Sequence, residues 1–545
     1  TTTVSNQTAI GHYALRVNTT GGENVAVGYI ALQDNTTGDR NTAVGTFSLE
    51  NNTTGDENTA IGRNTLAANT TASHNTAVGR DALAANTTGG QNTAVGSLAL
   101  DANTTGHRNT AVGQEALTKN TTGDNNISIG HYSMGSNTSG VGNVAVGMYA
   151  LDANTTANYN TAIGYQSLSA STTASALVAV GYNALAANTT GTNNTAVGYE
   201  ALDACTTGSQ NEAFGRSALT NNTTGGYNTA IGHEALMSAT TADNNTAIGY
   251  LASRSSTIGN NNIAVGREAL YTNVAADRNV AIGYRSSYLM TRSTTADTYN
   301  VGVGNETLYS CTSGALNVAV GGKALYSLTT ASGATAFGYE AAKDWVGSYS
   351  ITAIGYLALA NCTTGVNNTA LGRQALTTLT TASENTALGN MSMQAATTGY
   401  ENVAVGSNSL YTITTGANNT ALGHNALYTN NASSNTAVGK DALKLTTTGQ
   451  YNTAVGSGAL DANTTGGYNT AVGKDALGAN TTANNNIAIG FNALLANTTG
   501  AGNVALGVEA LKENTTADSN TAIGYLALKL NTTGAGNVAV GTNAL

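Results

Sequence analysis

The stretch 58–96 reads NTAIGRNTLAANTTASHNTAVGRDALAANTTGGQNTAVG, and its motif returns at every seventeenth position along the chain. The glycine that closes Asn-Thr-Ala-Val-Gly occurs 32 times, from Gly11 to Gly541. Only two steps break this period: Gly283 to Gly304 spans 21, and Gly423 to Gly439 spans 16. A fixed period of this kind indicates a repeat architecture in which each unit packs on its neighbours.

The repeat therefore predicts a single continuous domain over residues 1–545. Three irregular coils are expected within it. The first, at 284–300, carries a four-residue insertion. The second, at 339–351, lacks the Thr-Thr pair, and the third, at 424–435, has lost one residue.

The 17 positions, numbered from the first Asn, read N-T-A-V-G-x-x-A-L-x-x-N-T-T-G-x-x. Position 4 is apolar in all 32 coils, position 3 is Ala in 30 and position 9 is Leu in 27. β-Branched or apolar residues at positions 2 and 4 have the spacing of a strand, and Asn, Thr and Gly after position 12 favour turns. Seventeen residues are too few for a two-helix repeat.

This pattern predicts an all-β fold, a β-solenoid (parallel β-roll or β-helix) of about 32 coils with a 17-residue repeat. We expect two short strands per coil, joined by tight turns, around a thin core of Ala, Val and Leu. Coils stacked at the inter-strand spacing of about 4.8 Å would form an elongated rod on the order of 150 Å long.

Position 12 is Asn in 18 of the 31 coils that reach it, mostly within Asn-Thr-Thr. Taken alone, these triplets are glycosylation acceptors. In the remaining coils the position is filled by Ser171, Cys205, Ala239, Ser256, Met290, Cys311, Leu328, Trp345, Cys362, Leu379, Ala396, Ile413 and Thr446. A position shared with Leu, Ile and Cys favours burial, with the Asn amides stacked as a hydrogen-bonded ladder. The alternative is that position 12 faces a second chain.

Position 12 holds the one tryptophan and all three cysteines of the chain. Trp345 is too large for a thin core, so we expect its coil to bulge. The three cysteines cannot form a disulfide framework, because their number is odd and Cys311 and Cys362 lie three coils apart. We interpret them as small buried thiols, and pairing across the symmetry axis of an oligomer is the alternative.

The composition argues against a protein that binds nucleic acid or spans a membrane. Only 9% of residues are charged and the net charge is −10, with no basic stripe that would indicate a nucleic-acid partner. The sequence contains no window of 18 or more consecutive apolar residues, so it predicts no transmembrane helix. The start, Thr1 to Val4, has neither the basic nor the apolar region of a signal peptide.

The sequence offers no catalytic, cofactor-binding or metal-binding residues that we can assign, and we predict that the chain is not an enzyme. Its histidines are scattered, with no two in adjacent coils on one face; they are His12, His74, His107, His131, His233 and His424. Acidic residues such as Asp81, Glu115, Asp441 and Asp475 stand alone, and Glu212 replaces a β-branched residue at position 2.

Tyrosine is enriched at position 6. It occurs there as Tyr29, Tyr165, Tyr182, Tyr199, Tyr250, Tyr284, Tyr339, Tyr356 and Tyr525. Such a stripe would suit sugars or a neighbouring rod, because Tyr joins apolar area to a polar tip. The alternative is an exposed residue that only covers the edge of the coil.

The two ends of the chain complement each other in the repeat. Thr1 falls at position 12 and Leu545 at position 9, and neither end shows a polar capping coil. An uncapped strand edge recruits another chain, and open head-to-tail stacking gives a filament. We therefore expect filament formation, and the alternative is a fragment of a longer shaft.

Asn-Thr-Ala-Val-Gly and its variants Asn-Val-Ala-Val-Gly (143–147) and Asn-Ile-Ala-Ile-Gly (486–490) resemble the head repeats of YadA-like trimeric autotransporter adhesins. They also look like the repetitive shafts of some phage tail fibres. The resemblance covers the whole chain. It implies an extracellular solenoid that associates in threes and binds cell-surface, matrix or glycan ligands.

Three functions follow, in order of preference. The first is a structural extracellular fibre protein that assembles with itself, either head to tail or as a homotrimer. The second is a trimeric adhesin or tail-fibre shaft. The third, a polysaccharide hydrolase or lyase on a solenoid scaffold, requires a cluster of titratable residues that the sequence lacks.

Overall fold

The computed structural model describes residues 6–545; Thr1–Ser5, including the N-terminal residues considered above, lie outside the described residues. Within the described part, the chain is all-β without a helix, and it forms a parallel β-solenoid of about 31 turns with the 17-residue repeat. This confirms the predicted fold class. The described residues divide into two compact units, 6–275 with Ser293–Thr295, and Ala276–Arg292 with Ala296–Leu545.

The strands are numbered in chain order. The first unit holds β1 Thr8–Ile10, β2 Val25–Val27, β3 Thr42–Val44, β4 Thr59–Ile61, β5 Thr76–Val78, β6 Thr93–Val95, β7 Thr110–Val112, β8 Ile127–Ile129, β9 Val144–Val146, β10 Thr161–Ile163, β11 Val178–Val180, β12 Thr195–Val197, β13 Glu212–Phe214, β14 Thr229–Ile231, β15 Thr246–Ile248 and β16 Ile263–Val265.

The second unit holds β17 Ala276–Asp277, β18 Val280–Ile282, β19 Ala296–Asp297, β20 Val301–Val303, β21 Val318–Val320, β22 Thr335–Phe337, β23 Thr352–Ile354, β24 Thr369–Leu371, β25 Thr386–Leu388, β26 Val403–Val405, β27 Thr420–Leu422, β28 Thr436–Val438, β29 Thr453–Val455, β30 Thr470–Val472, β31 Ile487–Ile489, β32 Val504–Leu506, β33 Thr521–Ile523 and β34 Val538–Val540.

Pairing within each unit follows the repeat. β4 pairs with β5 in parallel with Ala60 opposite Ala77, and β29 pairs with β30 with Ala454 opposite Ala471. Each paired residue therefore lies one repeat away from its partner, so Gly62 and Gly79 belong to successive turns. The short strands β17 and β19 form a separate parallel pair beside the coil that carries the insertion.

The prediction of two strands per coil is wrong, because each regular coil has one three-residue strand at positions 2 to 4. Positions 7 and 9 have a left-handed backbone, for example Phe47 (φ 58°) and Leu49 (φ 53°), which interrupts an extended strand. Their N–H groups still bond to adjacent coils: Phe47 donates to the Tyr29 carbonyl at 3.0 Å and Leu49 to the Thr65 carbonyl at 2.9 Å. The turn segment is therefore tied to its neighbours without forming a strand.

The core differs from the prediction at position 4. Outside the two outermost coils, Ala at position 3 and Leu at position 9 are buried, as in Ala60 and Leu66, but the position-4 side chains lie on the outer face and none is buried. Successive side chains of a strand point to opposite faces, so position 3 and position 4 cannot both point inward. Ala at position 3 fits the narrow interior, whereas the larger Val, Ile and Leu side chains at position 4 lie outside it.

Position 5 is a glycine in every coil for two reasons. Its φ lies between 115° and 146°, a region that side-chain-bearing residues rarely adopt. A Cβ on Gly79 would also lie 2.5 Å from the carbonyl oxygen of Gly96 in the next coil. The close stacking of backbones at this corner therefore requires glycine.

The predicted burial of position 12 is confirmed. All its occupants from Asn35 to Asn514 are fully buried, and only Asn18 and Asn531, in the outermost coils, are partly exposed. Where Asn repeats, it stacks: Asn86 Nδ2 donates to Asn69 Oδ1 at 3.0 Å and to the Gly89 carbonyl at 2.9 Å. An amide bonded in this way has no room for a glycan in the folded chain.

A second Asn ladder runs along position 1, which is Asn in 28 of the 32 coils. Asn92 donates its backbone N–H to Asn75 Oδ1 at 2.9 Å, and its Nδ2 donates to the Gly106 carbonyl at 2.9 Å. The same carbonyl accepts from Asn103 Nδ2 at position 12. The two ladders thus meet at one carbonyl per coil and satisfy polar groups that burial would otherwise leave costly.

Trp345 is fully buried, with its indole Nε1 donating to the Gly365 carbonyl at 2.9 Å. Gly365 is at position 15 of the next coil, and in most coils the position-1 Asn side chain donates to this carbonyl, as Asn92 does to Gly106. Here the indole donates to it instead. Its own coil has Ala334, and the next has Ile351, where most coils have Asn at position 1. The smaller Ala334 and the loss of two polar side chains give the indole an apolar place in the core.

In the coil 424–435, which lacks one residue, a side chain replaces a backbone hydrogen-bond acceptor. In many regular coils, the N–H groups of positions 13 and 14 both bond to the position-13 carbonyl of the next coil, as Thr53 and Thr54 do to Thr70. Here Asn431 Oδ1 accepts from the N–H groups of Thr414 at 2.9 Å and Thr415 at 3.0 Å. An amide oxygen therefore stands in for the missing backbone acceptor.

Candidate functional surfaces

The outer face of the sheet presents two columns, positions 2 and 4. Thr, Val or Ile fills position 2 and an apolar residue fills position 4, and neither is buried in any described coil. Ile163 is 39% exposed, Leu371 44% and Phe337 55%. Each unit therefore carries a continuous, mostly uncharged apolar strip, which marks an interaction surface when it is large.

Glu212 lies on this face. It is exposed at position 2 of β13, opposite Thr195 and Thr229 of the neighbouring strands. It points away from the core, and its strand neighbours at this position carry no charge.

Tyrosines stack on one another at four positions, which are 6, 7, 10 and 17; at position 7, the rings of Tyr132 and Tyr149 have centroids 5.9 Å apart. At position 6, Tyr165 and Tyr182 stack with ring centroids 5.4 Å apart, and Tyr182 and Tyr199 stack at 5.0 Å. Further stacks lie at position 10, with Tyr288, Tyr309 and Tyr326 at 5.1 and 5.0 Å, and at position 17, with Tyr451 and Tyr468 at 5.0 Å. Only the position-6 column was recognised from the sequence; the signal for position 10 was Tyr in four successive coils, from Tyr271 to Tyr326.

The histidines lie at positions 6, 16 and 17 of different coils and do not converge. His12 stacks on Tyr29 and His233 on Tyr250, at 5.5 and 5.4 Å between ring centroids. His107 Nδ1 accepts the Gly90 N–H at 2.9 Å. Among the residues that the structure describes, no three His, Cys, Asp or Glu side chains are grouped so that they could hold a metal ion.

His107 belongs to a further ladder, at position 16, where the residue type varies from coil to coil. The side chain there often accepts the position-16 N–H of the preceding coil: Asp56 Oδ1 accepts from Asp39 at 2.7 Å, and Ser73 Oγ accepts from Asp56 at 2.9 Å. Asp, Asn and Ser at this position therefore serve the stacking of coils.

The pKa values of Asp152, Asp203 and Glu509 are shifted by their surroundings. Burial raises the pKa of Asp152 and of Asp203, both at position 10. Hydrogen bonds from Lys529 (2.6 Å) and Lys512 (3.0 Å) lower the pKa of Glu509 to about 2. The Lys529–Glu509 pair joins adjacent coils, whereas the Lys512–Glu509 pair lies within one coil.

The three cysteines are fully buried free thiols at position 12. Burial raises the pKa of Cys205 and Cys311 to about 11 and that of Cys362 to about 12. Each Sγ faces the carbonyl at position 15, at 3.5 Å in Cys205. A thiol in such a place is unreactive.

Comparison with known proteins does not assign this chain to a family. No protein-family description matches the chain, and no curated protein matches it significantly. No helix among residues 6–545 has the length and apolar character to cross a membrane.

Proposed function

We propose that this chain is a structural protein of an extracellular fibre, in which the solenoid acts as the shaft and catalyses no reaction. The observation that supports it most is the translational repetition of the hydrogen bonds. Leu49 donates to the coil above and Phe47 to the coil below, and the same donors and acceptors recur in coil after coil. The extracellular setting rests on the resemblance to adhesin heads and tail-fibre shafts.

This repetition suits growth by head-to-tail stacking. A coil edge offers another copy the same N–H and C=O groups that a coil of its own chain would offer, and exposed edges of that kind recruit strands. A contact that repeats without closing gives a filament.

Electron microscopy of the purified protein tests the proposal, together with sedimentation over a range of concentrations. We expect fibres longer than a single chain and a sedimentation coefficient that rises with concentration. A monodisperse monomer at every concentration, with no fibres on the grid, would contradict it.

A closed homotrimer, as in adhesins or tail-fibre shafts, is the second candidate, and the outer sheet face favours it. Three copies that pack their position-4 columns together would bury Val, Ile and Leu side chains that each copy leaves about 40% exposed, such as Ile163 and Ile231. Burying such area is the usual drive for obligate association.

A triple variant, Ile163→Lys, Ile231→Lys and Ile248→Lys, separates the two candidates. A trimer held by this face should dissociate, because the lysines repel one another, whereas head-to-tail fibres should persist. The control, Met148→Lys, Tyr199→Lys and Tyr250→Lys, makes the same charge change at exposed position-6 residues. Dissociation of the variant but not of the control would favour the trimer over the filament.

A further inference from the structure

A cleft interrupts the position-6 column of the second unit. Tyr284 and Tyr339 occupy this position three coils apart, and between them stand the short residues Asn305 and Gly322. In the uninterrupted column of Tyr165, Tyr182 and Tyr199, the successive rings lie 5.0 to 5.4 Å apart and leave no gap. Three steps of about 4.8 Å place the attachment points of the two flanking rings about 14 Å apart.

The resulting cavity has a volume of about 590 Å³, and its lining includes Tyr284, Asn305, Glu306, Gly322, Lys323 and Tyr339. That volume lies in the range of small-ligand sites. Gly322 is the only glycine at position 6 in the chain, and a Cβ there would meet the Tyr339 ring at 3.4 Å. The Tyr339 ring thus packs over Gly322 and forms one wall of the cleft.

The walls are held in place. Tyr339 stacks on Tyr356 with ring centroids 5.9 Å apart and planes 15° apart. Its hydroxyl bonds to the Glu340 carboxylate, which raises the pKa of Tyr339. On the other side, the Arg285 guanidinium lies 5.0 Å from the centre of the Tyr284 ring.

Three polar groups line the same cleft. Lys323 Nζ lies 4.0 Å from Glu306 Oε2, so the two charges balance across successive coils. Asn305 is exposed, and its Oδ1 accepts the Tyr284 N–H at 3.3 Å, so the amide NH₂ is the end available to a ligand. Aromatic walls with a carboxylate, an ammonium and an amide suit a flat molecule with an apolar face and a rim of hydroxyls.

We infer that this cleft binds neutral pyranose units of a glycan. The C–H face of a sugar ring packs on tyrosine, and its hydroxyls donate to Glu306 and accept from Lys323 and Asn305. A phosphorylated ligand fits poorly, because Glu306 neutralises the one lysine that lines the cleft. The inference does not depend on fibre assembly.

Calorimetric titration with four neutral oligosaccharides, cellohexaose, laminarihexaose, maltohexaose and hexa-N-acetylchitohexaose, tests it. At least one should bind the native chain. Gly322→Tyr fills the cleft in the way that Tyr182 fills its column, and Tyr339→Ala removes a wall. Each should weaken binding at least about tenfold.

The matched control is Ser457→Tyr, which places the same side chain at an exposed position 6 of the same unit. It should bind as the native chain does. Circular dichroism and electron microscopy of each variant verify that fold and assembly are unchanged, which separates failure here from failure of the fibre proposal. The inference is overturned if none of the four sugars binds, if Gly322→Tyr binds as tightly as the native chain, or if only an acidic hexasaccharide such as hexagalacturonate binds.

Discussion

Each residue type in the repeat is fixed by a separate contact with the next coil. Position 5 needs a residue without a side chain, positions 1 and 12 need an amide that donates and accepts, and position 3 needs a small apolar group. Because the coils are nearly identical, one substitution tests a contact that recurs throughout the chain.

Gly79→Ala should destabilise its coil by about 3 kcal/mol or more, from backbone strain and from the clash with the Gly96 carbonyl. Hydrogen exchange measured by mass spectrometry should report lost protection around residues 62–96. Gly135→Ala is the control, since the added Cβ would meet only the Tyr132 ring and backbone at ordinary distances, from 3.4 Å. Equal protection in both variants would refute the role assigned to position 5.

Asn86→Leu should cost about 2 kcal/mol, although Leu occurs naturally at position 12. The change leaves Asn69 Oδ1 without its donor and Asn103 Nδ2 without the Asn86 oxygen that now accepts from it at 2.8 Å. Urea denaturation followed by circular dichroism measures the loss. The same substitution at exposed Asn221 in position 11 should have little effect, and a similar loss there would argue against the ladder.

The buried thiols should resist alkylation. With pKa values of about 11 to 12, Cys205, Cys311 and Cys362 are almost entirely protonated at pH 8, whereas a free cysteine near 8.5 is partly ionised. We expect no rapid reaction with a thiol reagent in the native chain and three reacting thiols in guanidinium. Rapid labelling of native protein at pH 8 would place these residues outside the core.

Sequence alone predicted position 12 correctly because its substitutions are informative: Leu328, Ile413 and Cys205 share it with Asn. Position 1 offered little such signal, since Asn fills nearly every coil and a near-invariant polar residue does not reveal which way it faces. Position 4 misled the prediction, because apolar composition cannot tell the inner from the outer face of a strand when both are apolar. The cleft at Gly322 was missed since it depends on small residues lying between two tyrosines in space.

At the scale of the element, changes in length are confined to one part of the coil. The four-residue insertion and the one-residue deletion both fall between position 12 and the next position 1, in turn segments. The insertion lies between β17 and β19, and the deletion is compensated by Asn431. The segment from position 1 to position 12 keeps its length, because it carries both the strand and the core.

Deleting one whole coil, residues 75–91, should therefore leave the fold intact. Asn92 would take the place of Asn75, next to Asn58, and both Asn ladders would continue in register. The thermal midpoint should stay close to that of the native chain, since each coil contacts mainly its neighbours. Deleting residues 75–82, half a coil, should lower the midpoint and expose apolar surface; an equal effect of both deletions would contradict the coil as the repeating unit.

At the scale of the whole molecule, stability is a sum of many similar interfaces between coils, and the proposed head-to-tail association would extend the same hydrogen bonds to another copy. Sixteen strands stack in the first unit, and the outer face of that stack keeps its apolar character from coil to coil. The proposed fibre growth, trimer closure and glycan binding would use three different surfaces, so their tests are independent.

Spin-label distances within the first unit test the central claim most directly. In a chain whose cysteines are replaced by Ala, which position 12 accepts at Ala239, one label is placed at Ser97 and the other at Tyr165, Tyr199 or His233. These pairs lie four, six and eight coils apart, so one turn per repeat predicts separations of about 19, about 29 and about 38 Å. Distances that stay level or fail to rise in proportion to the number of repeats would contradict the solenoid.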